Sequence, residues 1–296
     1  MRKYTIAVLV AGCFWGLMGF FTRTLSGFGI ESSGAVLLRC GVAAILFGLT
    51  ILFTGPRQFL VKPRHFWCFF GSGVCSLLFF TYCYFTAISI VGLTTAAILL
   101  YSAPIIVMLL SALFFHEHIT LQKVVALALA CFGCFFVSGG GSVSGEQPFI
   151  GILYGFGAGL GFAMYTIFAR FALNRGYSSH TVNFYSCLLA ALGAAVIWGV
   201  DEPIRALASG PVCLALSLSM GAVSCYLPYL LYTYGLSGLE TGRASILSSV
   251  EPVVAALVGI IIFSEPITVM GTIGILCVLG AIVLLNIKLK SKRPTA

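Results

Sequence analysis

Apolar residues run through this chain in long blocks, and short polar or glycine-containing stretches separate the blocks. Each block is about 20 residues long, which is the length that a helix needs to cross a bilayer. The pattern predicts ten spans, at residues 4–21, 32–54, 66–88, 94–115, 121–139, 149–171, 180–199, 210–235, 243–263 and 267–287. The short connections leave no room for a soluble domain. We therefore predict an all-α integral membrane protein with ten transmembrane helices.

One segment of the sequence occurs twice. Shifting the chain by 148 positions places residues 96–137 on residues 244–285. Each half then holds five spans, and an odd number forces the two halves to insert in opposite directions. The sequence thus predicts two inverted five-helix repeats. The matched pairs include Pro104 with Pro252, Phe115 with Phe263, Glu117 with Glu265 and Thr120 with Thr268.

The duplication divides the chain into four parts. The first repeat occupies residues 1–140, and the second occupies residues 149–287. Residues 141–148 belong to a Gly/Ser-rich stretch, and we expect them to form the extracytoplasmic connection between the repeats. Residues 288–296 carry several basic side chains, and we expect them to form a cytoplasmic tail.

Composition and charge agree with a membrane protein. Hydrophobic residues make up 60% of the chain and charged residues 8%, whereas a soluble domain has about 25% charged residues. The net charge of +8 does not indicate a nucleic-acid partner, because the basic residues are spread over short loops rather than one face. Nearly all of the eleven cysteines lie inside apolar segments, where thiols behave as small apolar groups.

The basic residues also predict the orientation. If alternate connections are assigned to the two sides of the membrane, one side holds thirteen of the sixteen Lys and Arg residues. By the positive-inside rule that side is the cytoplasm, so both termini are expected there. The thirteen are Arg2, Lys3, Arg57, Lys62, Arg64, Lys123, Arg170, Arg175, Arg243, Lys288, Lys290, Lys292 and Arg293, and the other three are Arg23, Arg39 and Arg205.

Two charged residues inside spans are candidates for substrate binding. Arg39 aligns with Ser186 of the second repeat, and Glu251 aligns with Ala103 of the first, so each charge occurs once. A charge within a span needs a partner, water or a proton. Arg39 either binds substrate or extends its long side chain to the outer interface. Glu251 either binds substrate or a proton, or has a structural role as an ion pair or as a protonated cap on the Ser248 carbonyl.

Aromatic and proline residues within the spans add further candidates. Tyrosine hydroxyls at mid-span need hydrogen-bonding partners, so we expect part of this set to line a polar cavity, with others at the membrane interface. Tyr84 and Tyr232 are repeat mates and are expected to face one central space. Prolines within spans free backbone carbonyls and predict hinges. The aromatic candidates are Trp15, Tyr82, Tyr84, Tyr101, Tyr165, Tyr229 and Tyr232, and the hinge candidates are Pro104, Pro228 and Pro252.

Other polar residues favour structural roles. Glu117 and Glu265 stand at turns where spans end, and we expect each to cap the helix that follows. His116 and His118 flank Glu117, but no further ligands converge there, so no metal site is predicted. No cofactor is predicted either. Glycines spaced four apart, at 12 and 16 and again at 151, 155 and 159, predict close helix packing.

These features together resemble the EamA family of the drug/metabolite transporter superfamily. The matching elements are Trp15-Gly16 in the first span, Arg39 in the second, and the two blocks that contain Pro104 and Glu251-Pro252. His118 departs from the family, in which Arg or Lys usually follows the glutamate. The resemblance implies an inner-membrane carrier that exports amino acids or other small metabolites, with spans 1–4 and 6–9 around a cavity and spans 5 and 10 peripheral.

The sequence thus favours a secondary active transporter that exports small metabolites, such as amino acids or related amphipathic compounds, by alternating access. Proton coupling through Glu251 is part of this hypothesis. A sugar or nucleotide-sugar carrier is an alternative, although it would need several intramembrane cations. An intramembrane enzyme is disfavoured because no nucleophile and base stand together. The expected partners are the small-molecule substrate and the lipid bilayer, and the oligomeric state, including a homodimer, is left open.

The topology can be tested by labelling single cysteines in intact cells. Both termini and the loop at residues 55–65 should be protected from an impermeant reagent, because the basic loops are retained in the cytoplasm. Residues 139–148 should be labelled. Termini on opposite sides of the membrane would contradict both the count of ten spans and the inverted repeat.

Overall fold

The computed structural model describes residues 1–30, 32–138, 148–208, 210–264 and 268–287, except for the side chains of residues 32, 93, 94, 148, 202 and 206. All regular secondary structure within these residues is helical. The predicted tail at 288–296 and the connection at 141–148, apart from Pro148, lie outside the described residues. Glu265 lies outside them as well, so its predicted capping role stays a prediction.

Ten apolar helices form most of the described part of the chain, and a short helix, Asp201–Ala208, lies between the seventh and the eighth of them. Nine are long and apolar enough to cross a membrane, and the tenth, Leu121–Val137, has 17 residues, the lower end of the usual range of about 17–25. The predicted all-α membrane fold is therefore confirmed. We number them α1 Arg2–Ser26, α2 Ser33–Thr54, α3 Pro63–Gly92, α4 Thr95–Phe115, α5 Leu121–Val137, α6 Phe149–Asn174, α7 Ser179–Trp198, α8 Pro211–Leu236, α9 Thr241–Phe263 and α10 Val269–Asn286.

The packing of the helices follows a pseudo-two-fold axis. Helix α1 packs against α8 and α9, and its counterpart α6 packs against α3 and α4. The pairs α2 with α7 and α5 with α10 each join a helix to its own counterpart. At the α5–α10 contact, a Cβ added to Gly133 would lie 2.7 Å from the carbonyl oxygen of Gly274. Only residues without bulky side chains allow the two backbones to approach this closely.

The two halves share their irregular backbone features, at the sequence offset of 148. Short π-helical turns occupy Gly73–Leu78 in α3 and Gly221–Tyr226 in α8. Helix α4 is broken at residues 101–102, and α9 is broken at residues 249–250. Left-handed residues end α4 and α9, at φ 53° and 54° respectively. The same backbone conformations recur although the side chains at the broken and left-handed positions differ.

All even-numbered connections lie on one face of the helix bundle, which we call the basic face. This face comprises the N-terminus, the connections at 55–62, 116–120, 175–178 and 237–240, and the C-terminal end of α10. Contacts between these segments establish the grouping. The Lys62 N–H donates to the Tyr177 hydroxyl at 3.1 Å, and Arg170 donates to the Leu239 carbonyl at 3.0 Å. Gln122 donates to the Ile287 carbonyl at 2.9 Å, and the ring centres of Tyr4 and Tyr234 are 5.1 Å apart. Such a grouping requires the halves to be inverted.

The glycines of α1 contact the break in α9. A Cβ added to Gly12 would lie 3.0 Å from the carbonyl oxygen of Ser248, and one added to Gly16 would lie 2.7 Å from that of Glu251. In the other half, a Cβ on Gly159 would lie 3.2 Å from the carbonyl oxygen of Leu99, next to the break in α4. The predicted close packing is therefore present, and it occurs where α9 and α4 are interrupted.

A pair of alanine substitutions tests this packing. Gly16→Ala should destabilise the purified protein by about 1–3 kcal/mol, because the new methyl group overlaps backbone that cannot move freely. Gly19→Ala is the matched control on the same helix, since nothing lies within 4 Å of its added Cβ. Thermal unfolding in detergent should show a lower Tm for Gly16→Ala alone. Equal Tm values for the two variants would contradict the packing described here.

Candidate functional site

The break in α9 determines the position of Glu251. The first half of α9 ends at Ser248, and a new helix, Glu251–Phe263, begins with the carboxylate in its first turn. The partial positive charge at a helix N-terminus attracts an anionic group there. The Glu251 side chain is partly accessible, and no hydrogen bond or ion pair joins it to any residue within the described ranges.

Arg39 lies inside the helix bundle. Its side chain is 3% exposed, so it does not extend to the membrane interface. One guanidinium nitrogen, Nη1, lies 2.9 Å from the sulfur of Met18, and Nε has no hydrogen-bonding partner. A thioether is a weak acceptor and carries no charge. Across the described part of the chain, no carboxylate lies within 4 Å of this guanidinium.

The two charges lie near one another without forming an ion pair. Glu251 is close enough to Arg39 for electrostatic interaction, yet no N–O distance of 4 Å or less joins them in the residues that are described. Tyr84 and Tyr101 lie in the field of the Glu251 carboxylate. Tyr229 lies in the field of Arg39. The arrangement therefore has an acidic side and a basic side, each with tyrosines.

A packed aromatic cluster adjoins Arg39. The Trp15 ring lies 5.3 Å from that of Tyr229 and 5.2 Å from that of Tyr232, and the Tyr165 and Tyr229 centroids are 4.7 Å apart. The Tyr165 hydroxyl donates to Asn183 Oδ1 at 2.5 Å. These four candidates thus lie together, but they are buried and pack against one another. They form a wall of the site rather than an open cavity.

Tyr84 and Tyr232 occupy different environments. Tyr232 is 1% exposed, and its hydroxyl lies 2.9 Å from that of Thr166. The Tyr84 ring stacks on Phe80 at 5.7 Å, on the acidic side of the site. Neither ring faces the outside of the bundle. Whether the two residues share one substrate space stays a prediction.

Tyr82 does not belong to this set, and the prediction that it lines a cavity is wrong. The side chain is 44% exposed, and its ring contacts Tyr154 of α6 on the outside of the bundle. Two residues along a helix differ in direction by about 200°, because each residue turns the helix by about 100°. Tyr82 and Tyr84 therefore cannot point to the same side of α3.

The three predicted hinge prolines all stand beside irregular backbone. Pro104 and Pro252 lie in the first turn of the helices that follow the breaks in α4 and α9. Pro228 lies in the first turn after the π-helical turn of α8. Proline is well accommodated in a first turn, where no backbone donor is lost. These prolines mark where a new helical segment starts, rather than bending a continuous helix.

A cavity of about 520 Å³ opens on the face opposite the basic face. Its lining includes Thr22 and Ser26 of α1, Ala35 of α2 and Trp198 of α7. Met18 precedes Thr22 by four residues, and Arg39 follows Ala35 by four. Residues four apart lie on the same side of a helix, separated by about one turn, or 5.4 Å. Met18 and Arg39 therefore lie about one helical turn from the cavity, on the same sides of α1 and α2 as its lining residues.

Sequence analysis did not identify Met18. The structure shows that α1 is interrupted at Leu17, whereas the corresponding helix α6 runs without interruption. This asymmetry lies beside Arg39, which is itself present in only one repeat. A methionine in an apolar span carries no signal for this contact, since it is a common packing residue.

Glu117 contacts a helix far away in the sequence. Its carboxylate accepts hydrogen bonds from the backbone N–H groups of Thr241 at 2.5 Å and Gly242 at 3.1 Å, at the start of α9. The prediction that Glu117 caps the following helix is therefore wrong. Thr120 caps that helix instead, by accepting a hydrogen bond from the Lys123 N–H. The Glu117 contact joins α4 to α9 on the basic face.

Other polar contacts also join helix ends on the basic face and, together with Glu117, keep this face closed. The Lys123 ammonium lies 2.8 Å from the Glu240 carboxylate and donates to the carbonyl of His118. Arg170 donates to the carbonyls of Leu236 and Leu239 just before α9. Together with Glu117, these side chains hold the ends of α4, α5, α6 and α8 around the start of α9.

Metal chemistry finds no support in the described residues. No group of three or more His, Cys, Asp or Glu side chains there is arranged to hold a metal ion. His116 adopts a left-handed backbone conformation at the residue that follows the last turn of α4.

Comparison with known proteins identifies the family. The model of the EamA-like transporter family matches residues 2–139 and matches again at residues 149–287. The chain belongs to the EamA-like transporter family. Among EamA-like relatives, the "Uncharacterized transporter YwfM" of Bacillus subtilis (strain 168) is 27% identical, over 99% of this chain and 97% of the relative. An "Uncharacterized transporter" of Archaeoglobus fulgidus is 26% identical, over 97% of this chain and 96% of its own length.

A solved crystal structure has the same fold. It matches with a TM-score of 0.83, covers 97% of each chain and is 15% identical in sequence. At this identity the likeness concerns the fold alone. The family match and the relatives' names make this EamA-like protein a multi-pass membrane transporter.

Arg39→Met tests whether the guanidinium is needed for folding. The variant should keep or raise the Tm of the purified protein, because it removes a buried charge that lacks a counter-ion and roughly preserves side-chain length. Thermal unfolding without added substrate measures this. Arg170→Met is the control, and its Tm should fall because Arg170 binds two backbone carbonyls. A large loss of Tm in Arg39→Met would show that Arg39 is structural.

Proposed function

We propose that this EamA-like protein is a secondary active exporter of small metabolites that carry both an amino group and a carboxylate, amino acids being the representative class. The observation that supports the proposal is the pair of unmatched charges, Arg39 and Glu251. A charge inside a membrane span needs a partner, water or a proton. A substrate with two opposite charges would supply the missing partner of each.

The chemistry of the two sides agrees with such a substrate. A guanidinium binds a carboxylate with two parallel hydrogen bonds, and Nε of Arg39 has no hydrogen-bonding partner among the described residues. The Glu251 carboxylate, for its part, would accept from an ammonium group. The tyrosines and Trp15 provide apolar ring faces with a few polar atoms, which suits a small amphipathic molecule.

The arrangement of open and closed faces supports alternating access. The cavity of about 520 Å³ opens opposite the basic face. On the basic face, Glu117 and its neighbours hold the helix ends together around α9. If the basic face is cytoplasmic, as its charges predict, the described conformation would be open to the outside. Inward opening would then require release of Glu117 from the start of α9.

Glu251 is our candidate for coupling transport to a proton gradient. Burial favours a protonated carboxyl, whereas a nearby cation favours the ionised form. Opening of the site to water and binding of substrate change both influences, so the group can gain a proton on one side and lose it on the other. The break before Glu251 allows the second half of α9 to move relative to the first.

The alternative functions receive less support. A nucleotide sugar carries two phosphate groups and would need several cations at the centre of the bundle. Among the described residues Arg39 is the cation deep in the bundle, whereas Arg170 and Lys123 bind backbone groups near the basic face. An intramembrane enzyme would need a base beside a nucleophile. All four histidines lie at helix ends or in connections.

The coupling role of Glu251 can be tested in proteoliposomes with a panel of labelled amino acids. Glu251→Gln should abolish uphill transport driven by a pH gradient, because glutamine cannot carry the proton. The variant should remain folded, since no residue within the described ranges depends on Glu251 for a hydrogen bond. Uphill flux and Tm should be measured on the same preparation.

Asp201→Asn is the matched control, because this carboxylate is exposed in the connection between α7 and α8, away from the basic face. It should keep gradient-driven flux. Gradient-driven flux at the wild-type rate in Glu251→Gln would refute coupling through this residue.

A matched panel of amines and carboxylic acids, each lacking one charge of the transported amino acid, should fail to compete for transport if both charges are recognised.

A further inference from the structure

A second cavity lies on the basic face, away from the site described above. It has a volume of about 350 Å³ and is lined by the connection between α2 and α3 and by the connection between α6 and α7. Arg57, Lys62 and Arg175 contribute three cationic side chains to the lining. Among the described lining residues none is acidic. The cavity is therefore electropositive.

The hydrogen bonds around this cavity give it a defined shape. The Tyr177 hydroxyl accepts from the Lys62 N–H at 3.1 Å and lies 2.9 Å from Nδ1 of His65. Gln58 accepts from Ser178 through its side chain at 2.6 Å and from Thr181 through its carbonyl at 2.9 Å. The two connections are thus fixed to each other, and the lining is not merely a set of mobile basic side chains.

Among the described residues, the cationic side chains of this cavity have no counter-ions. Arg57 and Lys62 form no side-chain hydrogen bond or ion pair with any residue that the structure describes. Arg175 donates to the carbonyl of Phe171 at 2.8 Å, and its guanidinium lies 5.0 Å from the centre of the Trp67 ring. That position keeps the charge of Arg175 beside the cavity. A ligand with negative charge would supply the counter-ion that these three cationic side chains lack.

Apolar residues beside the cavity indicate what kind of anion the cavity would bind. Leu60 is 74% exposed, and Phe66, Trp67 and Phe70 are exposed at the start of α3. The cavity therefore adjoins both the end of a membrane helix and an apolar outer surface. Tryptophan and cationic side chains at this level are typical of contact with lipid headgroups. A soluble anion would make no use of the exposed apolar side chains.

We propose that this cavity binds the phosphate of an anionic phospholipid, with the acyl chains against the exposed apolar residues at the start of α3. Basic pockets between membrane helices on the cytoplasmic side are suited to acidic headgroups. Bound lipid would hold the connection at 55–62 against the start of α7, where Gln58 already binds Ser178 and Thr181.

The test is retention of added phosphatidylglycerol by the delipidated full-length protein, followed by native mass spectrometry. Wild type should retain phosphatidylglycerol in preference to phosphatidylcholine. Arg57→Gln/Lys62→Gln should weaken this binding about tenfold or more, because each cation near an anionic headgroup contributes about 1 kcal/mol, or roughly a factor of five. Arg57→Lys/Lys62→Arg keeps both charges and should keep the binding.

Arg2→Gln/Lys3→Gln is the matched control, because it removes the same charge from the same face. It should leave phosphatidylglycerol retention unchanged. An equal loss in both double glutamine variants would overturn the proposal in favour of general attraction to the basic face. Displacement of phosphatidylglycerol by millimolar inorganic phosphate, with an equal rise in Tm from phosphate alone, would instead identify a site for a soluble anion and would also overturn it.

Discussion

The fold depends on close contact between the glycine face of α1 and the interrupted backbone of α9. A helix that breaks inside a membrane leaves carbonyl groups without intrahelical partners, and lipid cannot satisfy them. The break is therefore tolerable only where it is buried in protein or lines a water-filled cavity. Gly12 and Gly16 allow α1 to approach the carbonyls of Ser248 and Glu251. The position of the Glu251 carboxylate follows from this contact, because the new helix starts there.

The inverted repeat separates structural features from those that serve a single role. The π-helical turns, the breaks in α4 and α9 and the left-handed helix ends all occur in both halves. Arg39, Glu251 and the interruption of α1 at Leu17 occur in one half only. Duplicated features define how the helices pack about the axis, whereas the single-copy features lie near one another. The asymmetry of the candidate site thus arises within a nearly symmetric scaffold.

Most of the fold could be predicted from the sequence, because long apolar blocks and a repeated motif are strong local signals. The π-helical turns could not, since Gly73 and Gly221 do not distinguish a π turn from ordinary close packing. The Glu117 contact was also missed. Capping patterns in sequence report hydrogen bonds within a few residues, whereas Glu117 binds amides more than a hundred residues away. The outward direction of Tyr82 could not be predicted either, since it depends on how α3 is rotated against α6.

The bond from Glu117 to the start of α9 has a consequence for the energetics of opening. An apolar seal would expose hydrocarbon to water when it parted, and the cost would rise with the area exposed. A carboxylate on two backbone amides behaves differently, because water can replace each hydrogen bond as it breaks. The net difference between the joined and parted states is then small. Such a contact fits the proposed alternating-access cycle, in which the basic face would have to open and close repeatedly.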